Sequence, residues 1–161
     1  MIRVGVNGAA GRIGKFNTFE LFQLPGIEVV ALNDPVGASK LVDNYREVDS
    51  THGKLDWEVN CKGDGEVEIN GRHVKVYSEK DPGKIPWETQ GARIIAECSG
   101  LLTKDGAAKA HLRDIEGPSR VIVSAPATGK GLVTLIMGLM KESLIRINTN
   151  ISQMLRAQQK R

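Results

Sequence analysis

Residues 2–33 constrain this chain more than any other stretch. An apolar run, IRVGVN at residues 2–7, stops at Asn7, and Gly8, Gly11 and Gly14 follow within seven residues. Residues 12–23 (RIGKFNTFELFQ) keep rough helical spacing, and Pro25-Gly26 closes that helix. Residues 27–33 (IEVVALN) form a second apolar, β-branched run. Strand, helix and strand in about 32 residues make one βαβ unit.

The rest of the chain repeats the alternation with one interruption. Residues 40–48 (KLVDNYREV) predict a helix. In GEVEINGRHVKVYSE, Val67, Ile69, Val74 and Val76 alternate with polar residues, and Asn70-Gly71 between the two runs is a hairpin signal. Residues 93–98 (RIIAEC) read as a strand, 103–112 (TKDGAAKAHL) as a helix capped by Thr103, and 120–124 (RVIVS) and 132–138 (LVTLIMG) as further strands. The expected architecture is α/β: a doubly wound, mostly parallel sheet with an inserted antiparallel β-hairpin, covered on both faces.

The totals narrow the function classes. A length of 161 residues suits one domain, and 40% hydrophobic residues allow a real core. The net charge of +3 owes much to Arg156, Lys160 and Arg161, which read as a solvated end, so no nucleic-acid partner is expected. Cys61 and Cys98 lack metal-ligand spacing, and no metal site is expected. Asn7 and the glycines interrupt any signal-peptide core, and no apolar run approaches the roughly 20 residues that span a bilayer. A reducing, cytoplasmic setting without a membrane partner is the expectation.

Chemistry enters with the glycines. Where a strand turns into a helix, glycine supplies positive φ or close backbone approach. The helix N-terminus exposes N–H groups and partial positive charge, which suits a pyrophosphate. A glycine triplet alone is equally explained by a tight turn. Asp34, 20 residues beyond Gly14 at the end of the next strand, adds a second feature. A carboxylate there accepts hydrogen bonds from an adenosine ribose and repels a 2′-phosphate, which favours NAD over NADP. The plain alternative is a turn residue before Pro35.

The segments VGVNGAAGRIG, VVALNDP, DSTHGKL, VYSEKDPGKIPW, AECSGLLTKDGAAKAHL, VIVSAPA and LIMG, in that order, resemble the cofactor-binding half of glyceraldehyde-3-phosphate dehydrogenase. The resemblance implies a Rossmann-type NAD-binding domain over residues 1–138. In the family a catalytic domain follows it, the aldehyde is oxidised with NAD and phosphate in glycolysis, and the assembly is usually a homotetramer. The resemblance assigns Asn7 and Gly8 to the turn beside the pyrophosphate, and Arg12 and Ile13 to backbone amides that approach it. It assigns Asp34 to the ribose, Lys80 to the adenine end, Ser99 and Gly100 to the floor beneath the cofactor, and Ser124 to the nicotinamide side.

The departures are equally specific. The family's NGFGRIG becomes NGAAGRIG, one residue longer, so the turn must bulge or re-register. The family's ESTGVFT becomes ECSGLLT, which puts Cys98 in place of a small hydroxyl residue and Leu102 in place of an aromatic. Cys98 is expected to be a semi-buried strand-end thiol rather than a nucleophile. His52 in DSTHG is read as structural, His73 as a hairpin surface residue, and His111 as a helix-end residue where a cation is favoured. Nothing in MGLMKESLIRINTNISQMLRAQQKR matches the family's SNASCTTNC, so residues 139–161 are expected to be a divergent tail and no catalytic residue is assigned. Truncation, a frameshift or an isolated domain would each give this pattern. The expected function is the NAD-binding part of such an oxidoreductase, inactive alone, with self-association through an exposed interdomain face. The alternative is a non-catalytic NAD-binding or subunit-interaction module, which a stable amphipathic helix in the tail would favour.

Overall fold

The computed structural model describes residues 1–47, 57–63 and 65–132. Its elements fall within one compact unit, Met1–Lys130. Strand β1 (Ile2–Asn7) leads through the glycine loop into helix α1 (Arg12–Gln23), and β2 (Ile27–Asn33) follows. Helix α2 (Gly37–Arg46) precedes three short strands, β3 (Val59–Cys61), β4 (Glu66–Ile69) and β5 (Arg72–Tyr77). Strands β6 (Ile94–Glu97) and β7 (Arg120–Val123) complete the set.

All seven strands form one sheet in the order β3-β4-β5-β2-β1-β6-β7. From β5 to β7 every pairing is parallel, and β3 and β4 add antiparallel strands at one end. The hairpin expected at Asn70-Gly71 is present, with φ of 49° and 78° at its two turn residues, as a primed turn requires. It is not set apart from the α/β unit. Its second strand β5 pairs alongside β2, Ala31 opposite Lys75 and Asn33 opposite Tyr77, so the excursion widens the parallel sheet.

The two faces are covered differently. Residues such as Val6, Leu32, Val74 and Val76 project to one face and meet Leu41, Val42 and Tyr45 of α2, with Leu21 and Phe22 of α1 beside them. On the other face Ala31 and Ile95 meet Ile85, Trp87 and Ala92. That layer is built from one-turn 3-10 segments, Pro82–Lys84, Trp87–Gln90 and Ala107–His111, rather than from α-helices. Gly5 makes room for it: a Cβ there would lie 2.7 Å from the Trp87 ring.

The helix expected at residues 103–112 is therefore corrected to the single 3-10 turn Ala107–His111. Asp105 and Gly106 take left-handed φ of 52° and 73°, which stops any helix running through them. Gly106, not Thr103, stands at its N-cap, and the Thr103 carbonyl instead accepts the Thr128 N–H at 2.7 Å. The expected strand at 132–138, the tail 139–161, and the DSTHG segment with His52 lie outside the described residues, apart from Leu132.

Candidate nucleotide-binding site

The parallel strands β5, β2, β1, β6 and β7 end along one edge of the sheet, and strand order reverses between β1 and β6. Ligands of open α/β sheets bind at such a point. The residues singled out in the sequence collect along this edge. Asn7 ends β1, Gly8, Gly11, Arg12, Ile13 and Gly14 form the loop and first turn of α1, and Asp34 follows β2. Lys80 follows β5, Ser99 and Gly100 follow β6, and Ser124 follows β7.

The glycines have separable reasons. Gly8 has φ +74°, and a Cβ on it would sit 2.5 Å from the Ser99 nitrogen, so the loop is in backbone contact with the end of β6. A Cβ on Gly14 would sit 2.1 Å from the Gly8 carbonyl oxygen, so α1 starts in contact with its own loop. Gly11, the N-cap, has no such need: a Cβ there meets only the Gly8 oxygen, at 3.4 Å. Gly100 likewise has nothing within 4 Å. Gly100 faces open space but takes φ +72°, a backbone conformation that favours glycine. No side-chain hydrogen bond caps α1, whose first turn follows the glycine loop directly.

The extra loop residue is accommodated by burial. Ala9 and Ala10 are both in the core. The loop backbone is tied from two sides: the Asn33 carbonyl accepts Gly8 N–H at 2.9 Å and Ala9 N–H at 3.1 Å, and Asp34 Oδ2 accepts Ala10 N–H at 3.0 Å. From α2, Asn44 Nδ2 donates to the Ala10 carbonyl at 3.2 Å, and the Tyr45 hydroxyl lies 3.1 Å from the Ala9 carbonyl. Lys15 locks the two helices together by donating to the Asn44 and Glu47 carbonyls at 3.0 and 2.7 Å, a cation at the C-terminal end of α2.

Beneath the cleft runs a buried polar chain that the sequence did not reveal. Glu97 Oε2 accepts Asn7 Nδ2 at 2.6 Å and His111 Nε2 at 2.8 Å, while Oε1 accepts Ser99 N–H at 2.7 Å and Ser99 Oγ at 2.5 Å. Burial pushes the Glu97 carboxyl upward, but hydrogen bonds from His111, Ser99 and Asn7 outweigh it and hold the group below its ordinary value. The only signal in the sequence was the polar pair Glu97 and Ser99 at a strand end. Asn7 and Glu97 become neighbours only because β1 and β6 pair in register.

His111 is also corrected. It does close the 3-10 turn Ala107–His111, but it is fully buried and its Nε2 faces Glu97. Trp87 Nε1 can only donate, and it points at His111 Nδ1 at 3.2 Å, so Nδ1 accepts and Nε2 carries the proton toward Glu97. Cys98 is a buried free thiol whose burial pushes it up to about 11, against a hydrogen bond with Ser124. His73 lies exposed on the hairpin, 2.5 Å from Glu66. Among the described residues no group of three or more His, Cys, Asp or Glu could hold a metal ion, and no helix is long and apolar enough to cross a membrane.

Comparison with known proteins places this geometry in context. Residues 2–105 match the family described as glyceraldehyde 3-phosphate dehydrogenase, NAD binding domain. The chain is similar to glyceraldehyde-3-phosphate dehydrogenase of Clostridium pasteurianum, 39% identical over 152 residues, which are 94% of this chain and 44% of that protein. It is similar to glyceraldehyde-3-phosphate dehydrogenase 1 of Bacillus subtilis (strain 168), 39% identical over 93% of this chain and 43% of that one. For the protein of the same name in Yarrowia lipolytica the identity is 41%, over 78% of this chain and 36% of the other. The chain thus spans less than half the length of these relatives.

Proposed function

We propose, for a chain that belongs to the glyceraldehyde 3-phosphate dehydrogenase family through its NAD-binding domain, that it supplies the cofactor-holding part of an NAD-dependent oxidation of a phosphorylated aldehyde. NAD is the cofactor of that domain family, and when bound it supplies a hydride acceptor. The chain's own residues do the rest: they bind it, orient it and exclude water beneath it.

The observation that carries this reading is the glycine loop, which leads from the end of β1 into the first turn of α1 and is fastened at Ala10 to the Asp34 carboxylate. In this reading the first-turn amides of Arg12 and Ile13, with Gly8, Gly11 and Gly14 shaping the loop, meet the pyrophosphate. Asp34 takes the adenosine ribose with the oxygen capacity left beside its bonds to Ala10 and Val36. Lys80 lies at the adenine end, Ser99 and Gly100 beneath the cofactor, and Ser124 toward the nicotinamide. Asn7 acts from below as part of the polar chain. The domain extends over residues 1–138 and the tail over 139–161. The reading also includes a cytoplasmic setting, which the two unpaired cysteines support, and self-association through an exposed interdomain face, which the exposed apolar side chains of Leu101 and Ile122, 83% and 63% exposed, support.

The test is calorimetric titration of NAD into the chain, with thermal unfolding in parallel. Binding should raise stability by about 2.7 kcal/mol at 100 times Kd. Asp34→Ala should weaken NAD by about 1–3 kcal/mol, the scale of a hydrogen bond to a charged group. Absence of heat and of any thermal shift at saturating NAD would reject the reading.

A further inference from the structure

Glu97 ends β6, one of the two strands between which the sheet order reverses, and four donors converge on its carboxylate. The chain of bonds continues in both directions. Asn33 Nδ2 donates to Asn7 Oδ1 at 2.7 Å, and Asn33 exchanges bonds with the backbone of Glu79, both 2.9 Å, immediately before Lys80. On the other side His111 leads to Trp87. The direction of every bond is fixed. Trp87 donates to His111 and His111 to Glu97, while Asn33 donates to Asn7 and Asn7 to Glu97. The carboxylate is the sole acceptor on which both arms end.

We propose that Glu97 is a positioning residue for the dinucleotide cleft, setting the gap between the glycine loop and the end of β6. This rests on the NAD-binding reading above. The gap is narrow: the Ser99 nitrogen that Glu97 holds at 2.7 Å is the atom that a Cβ on Gly8 would meet at 2.5 Å. Moving Ser99 by a few tenths of an ångström therefore shifts the wall against which the loop rests. Stability alone does not call for a charge here, because a buried ionic group is often replaced by packed apolar residues without loss. What the directed bonds of Glu97 and Asn33 together do supply is a fixed register among β1, β2, β6 and the turn after β5, the elements that carry or lead into Asn7, Asp34, Ser99 and Lys80. His111 and Trp87 sit on the face below and take part only through Glu97.

The experiment measures NAD affinity by calorimetry for the wild-type chain, Glu97→Gln, His111→Leu and His111→Gln, with circular dichroism and thermal unfolding recorded for each. Glu97→Gln turns one acceptor oxygen into a donor facing donors and should weaken NAD about tenfold in the folded protein. His111→Leu leaves Trp87 unpaired and the carboxylate one donor short, and should weaken NAD by a similar factor. His111→Gln keeps a donor toward Glu97 and an acceptor toward Trp87, and should stay within about threefold of wild type. If Glu97→Gln does not fold, the His111 pair decides. A purely structural role would lower the melting temperature and leave the affinity of the folded fraction unchanged, and that result overturns the proposal. So does equal weakening by Leu and Gln at His111. Silence from the wild-type chain would instead reject the NAD-binding reading itself, and this inference with it.

Discussion

The Glu97 carboxylate is ionised in a place where burial alone would neutralise it, and the sign of its effect on stability follows. Its folded value lies below the ordinary 4.5, because hydrogen bonds from His111, Ser99 and Asn7 outweigh the opposing effect of burial. The unfolded chain therefore binds a proton at higher pH than the folded chain does. The stabilisation is present above the unfolded value and is lost as pH falls through the folded one. Glu97→Gln has no such proton to take up. The melting-temperature gap between wild type and this variant should be constant from about pH 7 to pH 5 and close as pH drops below about 4.5. A gap of the same size at about pH 3 would mean that the folded and unfolded chains take up this proton at the same pH, and that the hydrogen bonds do not hold the carboxyl below its ordinary value. Asp34 shows a different lesson at this scale. Its carboxylate closes the turn at Val36, as the plain turn reading expects, and also fastens the glycine loop at Ala10, a bond neither reading foresaw.

At the scale of elements, the glycine loop separates stability from binding. Gly8→Ala and Gly14→Ala each force a Cβ into backbone, at 2.5 and 2.1 Å, and Gly8 also has φ +74°. Overpacking of this kind costs about 1–3 kcal/mol or more, so both variants should unfold at clearly lower denaturant concentration. Gly11→Ala meets only one atom at 3.4 Å and should lose no more than about 1 kcal/mol, the scale of an N-cap change, yet weaken NAD by crowding the cleft side of the loop. Equal loss of stability in all three variants would remove that distinction. The sequence made most of the elements legible because periodicity and turn chemistry are local: the boundaries of β1, α1 and β2 coincide with the expected ones, and Asn70-Gly71 turns the hairpin. The reading of residues 103–112 failed because Ala and Lys carry helix propensity while Asp105 and Gly106 break it, and the glycine was given too little weight. Register was not legible at all. Nothing in Asn7, Glu97 and His111 as separate residues says that the fold will bring Asn7 and His111 each within 3 Å of the Glu97 carboxylate. The loop and its acidic partner were readable as a cleft edge; the polar chain under it was not.

For the whole molecule, the question is whether these 161 residues by themselves carry out the oxidation. Covalent aldehyde chemistry needs a thiolate beside a base. Cys98 is the thiol nearest the cleft, but burial raises it to about 11, so near neutral pH it stays protonated, packed in the core beneath α2. Cys61 lies on β3, at the far end of the sheet from β6. His111 is committed on both ring nitrogens, to Trp87 and to Glu97, and cannot accept a substrate proton without breaking that chain. The chain incubated with NAD, glyceraldehyde 3-phosphate and phosphate should therefore produce no NADH, followed by its absorbance, and Cys98→Ser should be equally silent. Iodoacetamide near neutral pH should modify exposed Cys61 and spare Cys98. NADH formation that disappears in Cys98→Ser would make that thiol a nucleophile despite its burial and overturn this account. Formation that persists in the variant would be traced by removing the protein with an affinity resin: activity left in the supernatant belongs to another enzyme, whereas activity retained on the resin would require a reaction path through groups other than Cys98.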